Sequence, residues 1–123
     1  MAAVLVIDDD AAFRRMLRAI LEEQGHAVAT AADGFEGVSH FSRHRPDVVI
    51  TDMIMPHFDG IETISVLRGV DPSIPIIAVT GGSENLLKMA EHNGAAAGLA
   101  KPLNASALLT ALAAVTGSPE LPN

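Results

Sequence analysis

Acidic, hydroxyl and ammonium side chains follow four of the five short apolar runs of this chain. Asp8 and Asp9 follow residues 4–7, Asp52 follows 47–51, Thr80 follows 76–79, and Lys101 follows 98–100. An open sheet of parallel strands binds its ligands at the carboxyl ends of the strands. Carboxylates there can ligate a hard cation, while a hydroxyl and an ammonium can donate to the oxygens of an anion. These residues therefore predict a reaction site for a phosphoryl group beside a metal ion.

The acids are expected to meet where the strand order reverses, between the ends of the first and third strands. Asp8, Asp9 and Asp52 would then repel one another strongly, so at neutral pH they need a cation or a bound proton. The chain has no cysteine, and oxygen ligands without thiols or convergent histidines indicate a hard ion, most simply Mg²⁺. Mg²⁺ takes only one or two carboxylates, which leaves one acid free to react.

The segments between the apolar runs have apolar residues at the spacing of helices. Phe13, Met16, Leu17, Ile20 and Leu21 predict one buried stripe, with Asp10 as the N-terminal cap and Gly25 as the end of the helix. Further helices are predicted over residues 35–43, over 60–68, after a Ser83 cap as far as residues 93–94, and after an Asn104 cap. Residues 27–31 predict a weaker second strand. The chain thus alternates strand and helix five times.

This alternation predicts an α/β fold, a doubly wound five-stranded parallel sheet with helices on both faces. At 123 residues and 49% hydrophobic, the chain has the size of one domain. We expect that domain to span residues 1–116. Residues 117–123 contain two prolines, which predicts a C-terminal tail or the stub of a linker.

The net charge of −7 argues against nucleic acid or an anionic membrane as a direct partner. A protein partner, or a small anion held through a metal, suits this charge better. The absence of cysteine removes disulfide and thiol chemistry. The first apolar run lacks a basic flank and leads directly into Asp8, unlike a signal peptide, so a cytoplasmic location is expected.

The motifs together resemble the receiver domains of two-component response regulators. They are Ile-Asp-Asp-Asp at 7–10, Thr-Asp-Met-Ile-Met-Pro at 51–56 with Asp-Gly at 59–60, Val-Thr-Gly at 79–81, and Ala-Lys-Pro at 100–102. Each motif alone is weak, but all of them in this order and at these intervals are specific. The resemblance covers residues 4 to about 115 and implies the flavodoxin-like strand order 2-1-3-4-5.

The resemblance implies a role for each acid. Asp52 would be the phosphoacceptor, a carboxylate nucleophile that forms an acyl phosphate. Asp9 and Asp52 would ligate Mg²⁺ directly, together with the backbone carbonyl of Ile54. Asp8 would act mainly through a metal-bound water.

The resemblance also implies the groups that would bind the phosphoryl oxygens. Lys101 would pair first with the carboxylates and then with a phosphoryl oxygen, and Thr80 would donate its hydroxyl to another. The backbone N–H groups of Met53 and Gly81 would complete the cradle. Such a domain is a signalling switch that catalyses only its own phosphorylation and dephosphorylation.

The implied partners are proteins. A histidine kinase or a histidine phosphotransfer protein would supply the phosphoryl group, and a downstream protein or a separate effector domain would read the modified surface. A homodimer through the face of the fourth helix, fifth strand and fifth helix is a further option. Two other readings remain open: a receiver fold that binds partners without phosphorylation, and a phosphohydrolase of the haloacid-dehalogenase type with its nucleophile at Asp8.

The chain departs from the family pattern at Gly98, where relatives usually carry an aromatic residue that turns inward as the threonine moves. The chain has only four rings, Phe13, Phe35, Phe41 and Phe58, and none is obviously placed to substitute. We therefore expect the glycine pair at 81–82 to carry the movement, because glycines reorient at low cost.

Overall fold

The computed structural model describes residues 1–55, 59–82 and 84–117, along which five strands alternate with five helices. The strands are β1 (Ala3–Ile7), β2 (Ala27–Ala31), β3 (Val48–Asp52), β4 (Ile76–Thr80) and β5 (Ala97–Ala100). The helices are α1 (Ala11–Glu23), α2 (Gly34–Arg43), α3 (Gly60–Val70), α4 (Glu84–His92) and α5 (Ala105–Thr116). The predicted alternation is confirmed, and α3 extends two residues further than the sequence predicted.

The strands form one parallel sheet in the order β2-β1-β3-β4-β5, as predicted. Ile7 at the end of β1 pairs with Ala31 of β2 on one side and with Thr51 of β3 on the other. Thr80 at the end of β4 pairs with Ala100 of β5. This register aligns the carboxyl ends of β1, β3, β4 and β5 along one edge of the sheet.

Apolar side chains of the strands pack alternately against two layers of helices, as the two-residue period of a strand requires. Leu5, Ile7 and Val49 pack with residues of α2, α3 and α4, including Phe41. Val4, Val6 and Ile50 pack on the other face with residues of α1 and α5. Every residue of β3 and β4 is buried, which holds their ends in fixed positions beneath the site.

Polar side chains cap four helices. The two predicted caps are confirmed: Asp10 accepts from the amides of Ala12 and Phe13, and Asn104 accepts from Ala107. Two further caps were missed, Asp33 of α2 and Asp59 of α3. The predicted Ser83 cap lies outside the described residues.

One member of the predicted α1 stripe is not in the core. Met16 is 39% exposed, whereas Leu17 and Leu21 are fully buried. A stripe of five residues is wider than the strip of α1 that the sheet and α5 cover, so its edge meets solvent. The unbranched side chain of methionine tolerates that position.

The helix α5 ends at Thr116, and Gly117 follows with a left-handed φ of 72°. The rest of the predicted tail, residues 118–123, lies outside the described residues. None of the helices described is long and apolar enough to cross a membrane.

Gly60, the first residue of α3, lies very close to the backbone at the end of β3. A Cβ at Gly60 would lie 2.6 Å from the Cα of Met53 and would also meet the carbonyl oxygen of Asp52. Both atoms belong to the backbone and cannot rotate away. We expect Gly60→Ala to lower the free energy of unfolding by about 1–3 kcal/mol.

Gly69 is the matched control, because it lies in the same helix with no atom within 4 Å of an added Cβ. Gly69→Ala should raise the free energy of unfolding by up to about 1 kcal/mol, since alanine favours the helix. Urea denaturation measures both values. Equal effects of the two substitutions would contradict a tight approach at Gly60.

Candidate functional site

The structure brings three acids together at the carboxyl edge of the sheet. Asp8 follows β1 and is 1% exposed, Asp52 ends β3 and is 6% exposed, and Asp9 is exposed. One carboxylate oxygen from each lies within 4.8 Å of the others. Across residues 1–55, 59–82 and 84–117, this is the one group of three or more acids, histidines or cysteines that could hold a metal ion.

The Asp52 carboxylate is held by the backbone that follows it. Its Oδ1 accepts from the amide of Met53 at 2.8 Å and from that of Ile54 at 3.4 Å. Burial raises the pKa of Asp52, and the charge of Asp8 raises this pKa further. Lys101 and the two amides oppose the shift without cancelling it. The ionised site therefore lacks positive charge, which a cation would supply.

The ammonium of Lys101 lies beside the carboxylates of Asp8 and Asp52 and partly offsets their negative charge. Its Nζ lies 2.9 Å from Oδ2 of Asp8 and 3.7 Å from Oδ2 of Asp52. Burial on its own would lower the pKa of Lys101, but the hydrogen bond to Asp8 and the nearby acidic charges raise it overall. The backbone amide of Lys101 donates to the carbonyl of Thr80 at 3.0 Å, which anchors the loop after β5.

Both carboxylate oxygens and the backbone carbonyl of Asp8 accept hydrogen bonds from other residues of the protein. Its Oδ1 accepts from the amide of Asp10 at 2.8 Å, and its Oδ2 accepts from Lys101. Its carbonyl accepts from Nη1 of Arg14 at 2.7 Å. With both carboxylate oxygens occupied, Asp8 is less free than Asp9 or Asp52 to approach an ion directly.

The loop after β4 closes the opposite side of the site. Thr80 is fully buried, and its Oγ1 accepts from the amide of Gly82 at 3.0 Å, so the hydroxyl proton remains available for another acceptor. A Cβ at Gly82 would lie 2.7 Å from Cδ1 of Leu86 and 3.0 Å from Cδ1 of Ile54. A side chain at position 82 would therefore require the ends of Leu86 and Ile54 to move aside.

Gly81 lies exposed on the rim, where a Cβ would stand 3.8 Å from Cβ of Lys101. Its amide stays a predicted donor to the phosphoryl group, and the carbonyl of Ile54 stays a predicted metal ligand. The side chain of Ile54 is 56% exposed.

Neighbouring side chains account for the departures noted in the sequence. Leu87 of α4 occupies the space beside Gly98, with its Cδ2 3.2 Å from where a Cβ would be. The sequence showed no ring placed to substitute for an aromatic at position 98, and it did not indicate that the Phe13 ring lies 4.1 Å from Nζ of Lys101. Phe13 lies in the first turn of α1, far from Lys101 along the chain, so no local spacing could have indicated this contact.

The sequence model of the response regulator receiver domain matches residues 4–113. The chain belongs to this family. Among curated receiver proteins, it is 35% identical to the chemotaxis protein CheY of Halobacterium salinarum, over 91% of this chain and 94% of that protein. It is 40% identical to the response regulator MprA of Mycobacterium tuberculosis over 77 residues, which are 63% of this chain and 34% of that protein. The match thus spans about a third of MprA.

Solved receiver structures share the fold. A receiver domain protein from Clostridium thermocellum superposes with a TM-score of 0.90 at 32% identity, covering 95% of each chain. CheY4 of Vibrio cholerae gives a TM-score of 0.87 at 35% identity, covering 94% of this chain and 98% of that one. The flavodoxin-like receiver fold predicted from the sequence is confirmed.

The buried negative charge of Asp52 should lower the free energy of unfolding when no cation is bound. We expect Asp52→Asn to raise the free energy of unfolding of the metal-free protein by on the order of 1 kcal/mol at neutral pH. The pKa of Asp52 is higher in the folded protein than in the unfolded chain. The destabilisation by its charge is therefore complete above the folded pKa and disappears as the pH falls below the unfolded pKa. The advantage of the variant should therefore shrink on acidification.

Chemical denaturation with a chelator at several pH values measures this difference. Asp9→Asn is the control, because solvent screens the exposed Asp9 and its neutralisation should change stability less. Added Mg²⁺ should stabilise the wild type more than Asp52→Asn. A wild type that is the more stable of the two in chelator at neutral pH would contradict this account.

Proposed function

We propose that this chain accepts a phosphoryl group on Asp52 from a histidine kinase or a histidine phosphotransfer protein, in the presence of Mg²⁺. The modification then changes its affinity for a partner protein. The observation that carries the proposal is the Lys101 ammonium beside two buried carboxylates, 2.9 Å from Asp8 and 3.7 Å from Asp52. A nucleophile, a cation site and an ammonium within one small volume are what phosphoryl transfer requires.

The donor set fits Mg²⁺. It consists of carboxylate oxygens, and the raised pKa of Asp52 reports a deficit of positive charge. Asp9 and Asp52 would hold the ion with the carbonyl of Ile54, and Asp8 would act mainly through a water because its oxygens are already engaged. The bound ion would neutralise charge on the phosphoryl oxygens during transfer.

In the chemical step, a carboxylate oxygen of Asp52 forms a bond to phosphorus as the phosphorus–nitrogen bond of the donor phosphohistidine breaks. The donor imidazole keeps the electron pair and, with a solvent proton, returns to its neutral form. Asp52 becomes an acyl phosphate. The amides of Met53 and Ile54 orient the carboxylate through its Oδ1 before the attack.

The other predicted donors would stabilise the transferred group. Lys101 would donate to one phosphoryl oxygen, and Thr80 would donate its buried hydroxyl to another. The backbone N–H groups of Met53 and Gly81 would complete the cradle, and for this the Met53 N–H would turn from Oδ1 of Asp52 and the carbonyl of Val79, to which it donates before transfer. Hydrogen-bond donors fixed in advance by the fold lower the cost of charge that develops during transfer.

The proposal includes the wider role of the chain. Residues 1–116 would act as one switch domain in the cytoplasm, with 117–123 as a tail or linker. Its partners would be the phosphodonor protein and a downstream protein or effector domain, rather than nucleic acid or a membrane. A homodimer would use the face formed by α4, β5 and α5.

Two alternative functions can be distinguished from this proposal by whether the chain is phosphorylated and by which aspartate carries the phosphate. A dehalogenase-type phosphohydrolase would use Asp8, but the Lys101 ammonium binds Asp8 more closely than Asp52, at 2.9 Å against 3.7 Å. A module that needs no phosphorylation would keep its partner affinity when Asp52 cannot react.

Small phosphodonors test the proposal without a cognate kinase. With acetyl phosphate and Mg²⁺, mass spectrometry should show one added phosphoryl group, absent in Asp52→Asn and absent with chelator. Lys101→Met keeps an unbranched side chain of nearly the same length without its charge, and should slow incorporation by on the order of a hundredfold.

Lys88→Met is the matched control, since Lys88 lies on α4 away from the acids and should leave the rate unchanged. Incorporation that persists in Asp52→Asn would favour Asp8 as the nucleophile. A wild type that takes up no phosphate would favour the module that needs no phosphorylation.

The change should reach α4 through the loop after β4. Movement of the Thr80 hydroxyl toward a phosphoryl oxygen disturbs the Gly82 amide bound to it, and Leu86 packs against Gly82. With Mg²⁺ and beryllofluoride as a phosphoryl mimic, we expect NMR amide shifts at residues 81–82 and along 84–92. Thr80→Ser should preserve the shifts of α4 and Thr80→Val should reduce them. Shifts confined to the neighbours of Asp52 in the wild type would refute this route.

A further inference from the structure

The ammonium of Lys101 is enclosed by acids on one side and by an aromatic ring on another. Its Nζ lies 4.1 Å from the centroid of Phe13, while Asp8 and Asp52 lie at 2.9 and 3.7 Å. The side chain of Lys101 is 23% exposed, so water is largely excluded from these contacts. A cation over the face of a ring at this distance is attracted to its negative quadrupole.

We infer that Phe13 is a positioning residue for the proposed phosphoryl transfer, holding the Lys101 ammonium against its ring so that the charge faces Asp52. This inference rests on the proposed function. Phe13 does not touch the reacting atoms, and its effect passes through Lys101.

The start of α1 fixes the ring in place. The Asp10 side chain caps the helix by accepting from the amide of Ala12 at 2.9 Å and from that of Phe13 at 3.2 Å. The side chain of Phe13 also packs against the core cluster that contains Leu17 and Leu108. A cap at one end and core packing at the other leave the ring little freedom, so it can define where the ammonium sits.

A ring suits this position better than either a third acid or an aliphatic side chain. Another carboxylate would bind the ammonium strongly and hold it away from a phosphoryl oxygen. An aliphatic group would offer the charge no attraction. The ring attracts the ammonium without using one of its three N–H groups, and the hydrogen bond to Asp8 uses one. The other N–H groups remain free for an incoming phosphoryl oxygen.

The present position of the ammonium is compatible with this task. Its Nζ stands 3.7 Å from Oδ2 of Asp52, beyond an ordinary hydrogen bond. A phosphoryl oxygen attached through Asp52 would extend toward the ammonium, so Lys101 can engage it while staying over the ring. Without the ring, the flexible side chain would have an outward path to solvent.

Kinetics of phosphorylation by acetyl phosphate at saturating Mg²⁺ test the inference. Phe13→Leu should slow Asp52 phosphorylation by roughly three- to tenfold, the range that the loss of one partly desolvated cation–π contact allows. Phe13→Tyr keeps a ring face and should retain the wild-type rate within about twofold.

Phe41→Leu is the matched control. It makes the same substitution under the opposite face of the sheet, where Phe41 has its own cation–π partner in Arg45. It should leave the phosphorylation rate unchanged at temperatures where the protein is folded. Equal rates for Phe13→Leu and the wild type, or equal slowing by Phe13→Leu and Phe41→Leu, would overturn the inference.

Fluorinated phenylalanines placed at position 13 provide a test that conserves the shape of the ring. Successive fluorines weaken the negative ring face, so the rate should fall stepwise if the quadrupole positions Lys101. A rate independent of fluorination would assign Phe13 a packing role only and overturn the inference.

A spectroscopic measurement separates this inference from the proposed function. The ε-methylene protons of Lys101 should show an upfield ring-current shift in the wild type, and Phe13→Leu should remove it. They should stay upfield when Mg²⁺ and beryllofluoride are added. If the wild type takes up no phosphate, the proposed function fails although the resting ring contact is still seen. If phosphorylation occurs without any ring-current shift, this inference fails alone.

Discussion

The site is dominated by electrostatic repulsion between two buried carboxylates, which one ammonium offsets among the residues that the structure describes. Asp8 and Asp52 are each at most 6% exposed, and Lys101 contacts both. Burial raises the pKa of Asp52 because its charge is poorly solvated, while the hydrogen bond to Asp8 and the charges of the nearby acids raise the pKa of Lys101 against the opposing effect of burial. Such an arrangement is costly in stability and well suited to binding a cation and an anion together. The third acid, Asp9, is exposed to solvent.

The parallel sheet makes this concentration of charge possible. Strands buried on both faces contribute little polarity along their length, so their polar side chains gather where each strand ends. The register aligns β1, β3, β4 and β5 at one edge, and the bond from the amide of Lys101 to the carbonyl of Thr80 connects the last two loops. Helix α1 adds Phe13 from a different layer, and its ring lies 4.1 Å from the ammonium.

Glycines determine how closely α4 approaches the site. At Gly82 and Gly98 an added Cβ would meet Leu86 and Leu87, which are consecutive residues of the same helix. The helix therefore rests directly on the loop after β4 and on the edge strand β5. This direct contact favours α4 itself as the element that responds to a change at Thr80.

The local pattern of the sequence determined which elements form, because apolar periodicity, capping residues and glycines act over a few positions. It also indicated Asp8, Asp9, Asp52, Thr80 and Lys101 as a set, since buried parallel strands must place their terminal residues on one edge. Tertiary structure alone decided the rest. The exposure of Met16, the position of Leu87 beside Gly98 and the ring of Phe13 over Lys101 depend on how helices settle on the sheet. Those contacts join residues far apart along the chain, with rotamers and helix offsets that no local pattern encodes.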